Sequence, residues 1–199
     1  MKSTPVSTSS AVFLDRDGVL IEDVDLLDDI SRIRILPGVP DALQRLGRAG
    51  FRLIVATNQP IIARGIVSEQ EVDQINREIA ARLERAGAPV IDRFYVCPHH
   101  PKATIAAYRV ECQCRKPRPG LLLRGAAEFS VDLKSSFFIG DRISDVLAGA
   151  KAGCRTILVQ TGQHLAPPIT SVDPMDLTVK ADWTCADLSE AADWILKNK

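Results

Sequence analysis

Two aspartates one residue apart, Asp15 and Asp17, follow the apolar run Ala11–Leu14 and precede Gly18. An aspartate with an ordinary pKa near ~3.9 is ionised at neutral pH, so Asp15 can attack phosphorus without help from a base. Asp17 can give a proton to the departing oxygen and then take one from water. A negative nucleophile approaching a negative phosphate needs a divalent cation. Asp141, after Phe137-Phe138-Ile139-Gly140, is a further hard oxygen ligand for Mg²⁺. Thr57 and Asn58, after Leu53–Ala56, offer short hydrogen bonds to phosphoryl oxygens, and Lys116 offers a compact positive charge. These residue types share one chemistry, phosphoryl transfer.

A second constellation has a different character. Cys97 and His99 are two residues apart, as are Cys112 and Cys114. In extended chain, residues i and i+2 point to one side, so each pair can grip an ion while His100 faces away. Three sulfurs and one imidazole suit tetrahedral zinc and leave no open position, which makes the expected role structural. The competing reading is reduced cysteines that simply pack, as expected for Cys154 and Cys185.

The elements that must carry these residues alternate. Strands are expected at 11–14, 53–56, 94–96, 137–139 and 156–159. Helices are expected at 37–49, from Ser68 to Gly87, at 120–129, at 144–152 and after Asp187. Ser68-Glu69-Gln70-Glu71 has the spacing of a capping box, and Val72, Ile75, Ile79 and Leu83 repeat at helical intervals behind it. Strands alternating with helices predict an α/β fold, a Rossmann-like doubly wound parallel sheet, with ligands at the carboxyl ends of the strands. The stretch 98–119, rich in Pro, His, Cys and basic residues, reads as an ordered insertion. Residues 1–10 read as a flexible tail, and 11–199 as a single domain with a zinc loop at about 97–114.

The motifs resemble a known family. Phe13-Leu14-Asp15-Arg16-Asp17-Gly18, Thr57-Asn58-Gln59, Arg115-Lys116-Pro117 and Gly140-Asp141 are similar to the four motifs of haloacid-dehalogenase superfamily phosphatases. Ala63-Arg64-Gly65 and the cysteine–histidine loop narrow the likeness to the branch acting on heptose bisphosphates and histidinol phosphate. The resemblance implies a Mg²⁺-dependent phosphatase working through an aspartyl-phosphate. Asp15 is then the nucleophile and Asp17 the acid/base, and Asp15, the Asp17 main chain and Asp141 hold Mg²⁺. Thr57 and Lys116 steady the phosphoryl group, while Asn58, Gln59 and Arg115 contact substrate. Arg142 stands where the family has lysine and is expected to bind phosphate. Asp145 either supports the site, caps a helix or pairs with Arg142. Pro60-Ile61-Ile62 replaces the family's Ser-Gly-Ile, and Ile21 and Asp25-Leu26 replace its asparagine and Gly-Tyr, which points to altered contacts with substrate.

Composition narrows the rest. The 199 residues carry 25 basic and 25 acidic side chains, so charge favours neither nucleic acid nor an anionic membrane. No apolar run approaches the ~18 residues of a membrane span, and the N-terminus lacks a signal-peptide core. The expectation is a cytoplasmic monomer without a large cap domain, acting on a small phosphorylated substrate, most directly a sugar bisphosphate. Histidinol phosphate or another small phosphomonoester is the alternative, and a catalytically dead zinc-containing binding module the remote one.

Overall fold

The computed structural model describes residues 9–166 and 178–199. Six parallel strands form one sheet: β1 (Ala11–Leu14), β2 (Arg52–Asn58), β3 (Arg93–Cys97), β4 (Phe137–Gly140), β5 (Arg155–Val159) and β6 (Trp183–Cys185). Their order is β3-β2-β1-β4-β5-β6. The chain winds outward on one side of β1 and then returns to wind outward on the other. The carboxyl ends of β1 and β4 therefore flank the crevice where doubly wound sheets bind ligands.

The central strands β1, β2 and β4 are buried on both faces, so their residues divide by alternation. Val12 and Leu14 join Leu53, Val55, Phe137 and Ile139 beneath α1 (Val39–Arg48), α3 (Glu69–Arg85) and α6 (Leu188–Asn198). Ala11 and Phe13 join Ile54, Ala56 and Phe138 on the opposite face, beneath α4 (Gly120–Phe129) and α5 (Ile143–Ala152). The register Val12↔Leu53 and Val12↔Phe137 brings the tips of β1, β2 and β4 level.

The capping box is present: Ser68 Oγ accepts from Glu71 N–H, and the Glu71 carboxylate accepts from Ser68 N–H. Helix α1 starts later than expected, at Val39, with Gly38 at its cap in the left-handed region, so the proline inside its first turn is Pro40 rather than Pro37. Of the expected tail, residues 1–8 lie outside the described residues. Ser9 and Ser10 belong to the fold, because Ser9 bonds the main chain of Ser130 and Asp132, and Ser10 accepts from Arg52. In α6 (Leu188–Asn198) the buried residues are Leu188, Ala191, Ala192 and Ile195, while Leu196 is only partly buried. Among the described residues no helical domain separates β1 from α1, and no helix is long and apolar enough to cross a membrane.

Candidate active site and metal centres

The tips of β1, β2 and β4 bring Asp15, Thr57 and Asp141 together, as alternation and strand order require. All three are buried, with Thr57 and Asp141 each 1% exposed. Asp15, Asp141 and Asp145 present carboxylate oxygens within 4.8 Å of one another. Lys116 Nζ lies 2.8 Å from Asp15 and 2.7 Å from Asp145. Burial alone would lower the Lys116 pKa, but Asp145 and Asp15 outweigh it and hold the ammonium above its ordinary value.

The same crowding acts oppositely on the acids. Burial, then the charges of Asp15 and Asp145, pushes Asp141 up to about 7. Burial also pushes Asp145 up to about 6; Asp15 adds to this and Lys116 partly offsets it. Asp141 Oδ2 accepts from Gln163 N–H at 2.7 Å, whereas its buried Oδ1 has no partner among the described residues. An unpartnered acceptor amid mutually repelling carboxylates fits a divalent cation. Close backbone approach is essential here. Gly18 has φ +73°, and a Cβ on Gly18 or Gly162 would overlap the Asp141 carboxylate.

Asp145 is thus part of the cluster, and sequence alone left it undecided. It also caps α5, its Oδ2 accepting from Arg142 N–H at 3.0 Å. The Asp17 side chain is not in the cluster. It turns toward Arg16 and Gln59, whose Nε2 donates to Asp17 Oδ2 at 2.7 Å, so only its main chain is left for a cation. Thr57 Oγ1 accepts from Gln59 at 3.0 Å and keeps its own hydrogen to give.

Two residues expected on phosphate or substrate have partners within the fold. Asn58 was expected on phosphoryl oxygens, but both ends of its amide bond the Lys116 main chain, at 3.2 and 3.1 Å. Its work is to fix the loop that bears the lysine. Arg142 does not stand free: Nη2 donates to Asp23 Oδ2 at 3.2 Å, and the same oxygen accepts from Gln163 Nε2 at 2.7 Å. Pro60 opens the short helix α2 (Pro60–Ala63) at its first position, where a missing N–H costs nothing. The isoleucines after it are buried. A cleft of about 270 Å³ spans these groups, with Val24, Leu26 and Ile61 on its wall and Arg64, Arg115 and Arg142 among its cations.

The zinc-type cluster lies beside this cleft. Cys97, His99, Cys112 and Cys114 converge, with ligand atoms 3.1–3.8 Å apart. A tetrahedron with metal–sulfur bonds of about 2.3 Å has edges of roughly 3.8 Å. Disulfides, with sulfurs about 2.05 Å apart, are excluded, and all five cysteines are free. Through the Cys97–Cys114 sulfur contact, Cys114 is held low, at about 5, while Cys97 is raised. The thiolate that a metal needs is therefore accessible in this loop. His100 stands apart and takes Lys102 N–H on Nδ1. Arg115 Nη1 donates to the carbonyl of His99, and Arg118 Nη1 to that of Cys112, so the loop grips the cations beside the cleft.

Known proteins resemble this chain in sequence and fold. A family model for HAD-hydrolase-like proteins matches residues 113–191. A D-glycero-beta-D-manno-heptose-1,7-bisphosphate 7-phosphatase from Photorhabdus laumondii is 41% identical over 77% of this chain and 81% of its own length. The protein of that name from Escherichia coli K12 is 33% identical over 95% of each chain. The chain belongs to this heptose-bisphosphatase family of haloacid-dehalogenase-like hydrolases. The D,D-heptose 1,7-bisphosphate phosphatase from B. bronchiseptica, solved with magnesium and phosphate, superposes with a TM-score of 0.79 at 31% identity, covering 96% of this chain and 99% of that one. A HAD-like protein from Mesorhizobium loti gives 0.80 at 27% identity, covering 96% and 87%. Sequence reasoning missed Arg16, Asp23 and Gln163, which bond Asp17, Arg142 and Asp141 respectively. Only Arg16 had a signal, its place inside the Asp-x-Asp motif.

Proposed function

We propose that this chain is a Mg²⁺-dependent phosphatase that removes the 7-phosphate of a D-glycero-D-manno-heptose 1,7-bisphosphate. The observation that carries the reading is the buried carboxylate cluster of Asp15, Asp141 and Asp145, cross-linked by Lys116 and containing an unpartnered Asp141 oxygen. Asp15, Asp141, Asp145 and the Asp17 main chain are the groups that would hold Mg²⁺. When bound, the cation neutralises the charge between nucleophile and phosphate.

The chain's own residues do the rest. An Asp15 oxygen attacks phosphorus as the bond to the leaving oxygen breaks, and the proton on Asp17 passes to that oxygen. Asp17 then takes a proton from water, whose oxygen attacks the aspartyl-phosphate, releasing phosphate and free Asp15. Thr57 and Lys116 steady the phosphoryl oxygens, and Gln59 orients Asp17. Arg115, buried and with no partner for Nε among the described residues, and exposed Arg64 support binding of the substrate's second phosphate. Cys97, His99, Cys112 and Cys114 hold a structural zinc. The reading includes one domain from residue 9 onward, a monomer, a cytoplasmic setting, and a small phosphorylated sugar rather than nucleic acid as partner.

One observation favours a second substrate. Val24, Leu26 and Ile61 give the cleft an apolar wall that a polyhydroxyl chain does not match. Phosphate release with Mg²⁺, from both anomers of heptose 1,7-bisphosphate, simpler sugar phosphates and histidinol phosphate, tests the assignment. A kcat/KM for either heptose bisphosphate at least ~100-fold above the others supports it, and a preference for histidinol phosphate overturns it.

A further inference from the structure

Arg16 is the bulkiest fully buried side chain among the described residues, 1% exposed, and a buried cation must be paired to be tolerated. Its guanidinium faces Asp17 with two prongs, Nε to Oδ2 at 3.2 Å and Nη2 to Oδ1 at 3.0 Å. The remaining terminal nitrogen, Nη1, donates to Asn76 Oδ1 at 3.2 Å. Asn76 lies in mid-helix on α3, 4% exposed, on the face that otherwise buries Val72, Ile75, Ile79 and Leu83. A polar residue there forfeits apolar burial and helix propensity. Its Nδ2 has no partner among the described residues, so its oxygen alone explains its place.

We propose that Asn76, acting through Arg16, is the positioning residue for the Asp17 carboxyl. The inference rests on the assignment of Asp17 as proton donor made above. A planar fork held at one corner can rotate only about that corner. With Nη1 fixed to a capped and packed helix, Nε and Nη2 keep their aim at Asp17. A neutral amide suits the post, because its oxygen anchors the guanidinium without adding another charge to the buried site. Gln59 closes the other side of the same carboxyl. Asn76 touches neither substrate nor the reacting atoms; it sets where the proton is delivered as the phosphorus–oxygen bond breaks.

The test exploits the leaving group. An alkoxide departs poorly without that proton, whereas p-nitrophenolate needs little help. kcat/KM is measured at saturating Mg²⁺ for an alkyl phosphate and for p-nitrophenyl phosphate, with Asn76→Leu, Arg16→Lys and Asp17→Asn. Asp17→Asn is expected to lose ~10²-fold or more on the alkyl ester and far less on the aryl ester. Asn76→Leu and Arg16→Lys are expected to follow that pattern at about 10-fold and under about 2-fold, with an unchanged Mg²⁺ requirement. Equal losses on both esters, or none on either, overturn the positioning role while Asp17→Asn keeps its selectivity. If Asp17→Asn itself loses equally on both, the acid assignment fails and takes the proposal with it. Thermal melting checks folding, and Arg16→Lys decides by the same ratio if Asn76→Leu does not fold.

Discussion

The carboxylate cluster and the cysteine–histidine cluster solve opposite problems with similar numbers of ligands. Asp15, Asp141 and Asp145 come from the two ends of a long stretch of chain and meet only because β1 and β4 are neighbours. They repel one another, one Asp141 oxygen has no partner among the described residues, and the cleft reaches Asp15 and Asp145. Such a site fits an exchangeable hard cation and a changing phosphate. Cys97, His99, Cys112 and Cys114 come from one loop and use up a tetrahedron. That site fits a permanent ion whose task is mechanical. Charge strain marks the centre that reacts, and closure marks the one that holds.

The largest effect should come from cutting the reactive side. Asp15→Asn is expected to lower turnover by more than about 10³-fold with the melting temperature preserved or raised, because an amide cannot attack phosphorus and one repelling charge is gone. Steady-state kinetics and calorimetry on one sample check both halves. Next is the mechanical side. Elemental analysis is expected to give one zinc per chain, and Cys112→Ser/Cys114→Ser should abolish it and lower the melting temperature by on the order of 10 °C. Zinc content equal to that of the unmodified chain would remove the assignment.

Between the two lies Asn58, which ties the Lys116 loop to β2. Asn58→Ala should weaken inorganic-phosphate inhibition by about 10-fold while zinc content stays the same. A loss of zinc would mean that the two regions are not separable. The smallest effect is one of pH. Asp141 and Asp145 have raised pKa values in the metal-free fold, so the stability tied to their protons is full below the ordinary carboxylate range near ~4. It is lost as pH rises through about 6 to 7. Mg²⁺ should reverse that loss. Its melting shift is expected to be near zero at pH 4.5 and to grow to about 5 °C by pH 8, read by thermal scans at each pH. A shift that shrinks with rising pH would contradict the cation assignment.

Much of this was legible in sequence because it is local. Helix α4 follows its expected bounds, and β1 does the same, since apolar runs and flanking Gly or Ser mark them. The Cys-x-His and Cys-x-Cys pairs announce their partnership by type and spacing. What sequence hid depends on tertiary contact. Strand β6 has three residues at the sheet edge and no alternation to betray it. Asn76 reads as an ordinary polar residue until α3 packs over the tip of β1 and delivers it to Arg16, sixty positions away. Asn58 and Arg142 were matched to phosphate by type, and the fold occupied them first with a main chain and with Asp23.

The central place of β1 has a consequence for biosynthesis. Strand β1, which ends just before Asp15, is the first of the six to be made, yet one of its two neighbours, β4, comes late; Ala11 N–H bonds Ser136 Oγ, 125 residues downstream. At about 5–20 residues per second, a ribosome needs roughly 6–25 s to supply that partner. Through that interval the apolar edge Val12–Leu14 has β2 on one side and nothing native on the other. The nascent chain must carry a sticky half-sheet before it can own an active site, which makes slow translation a hazard for yield and leaves the finished enzyme's rate untouched.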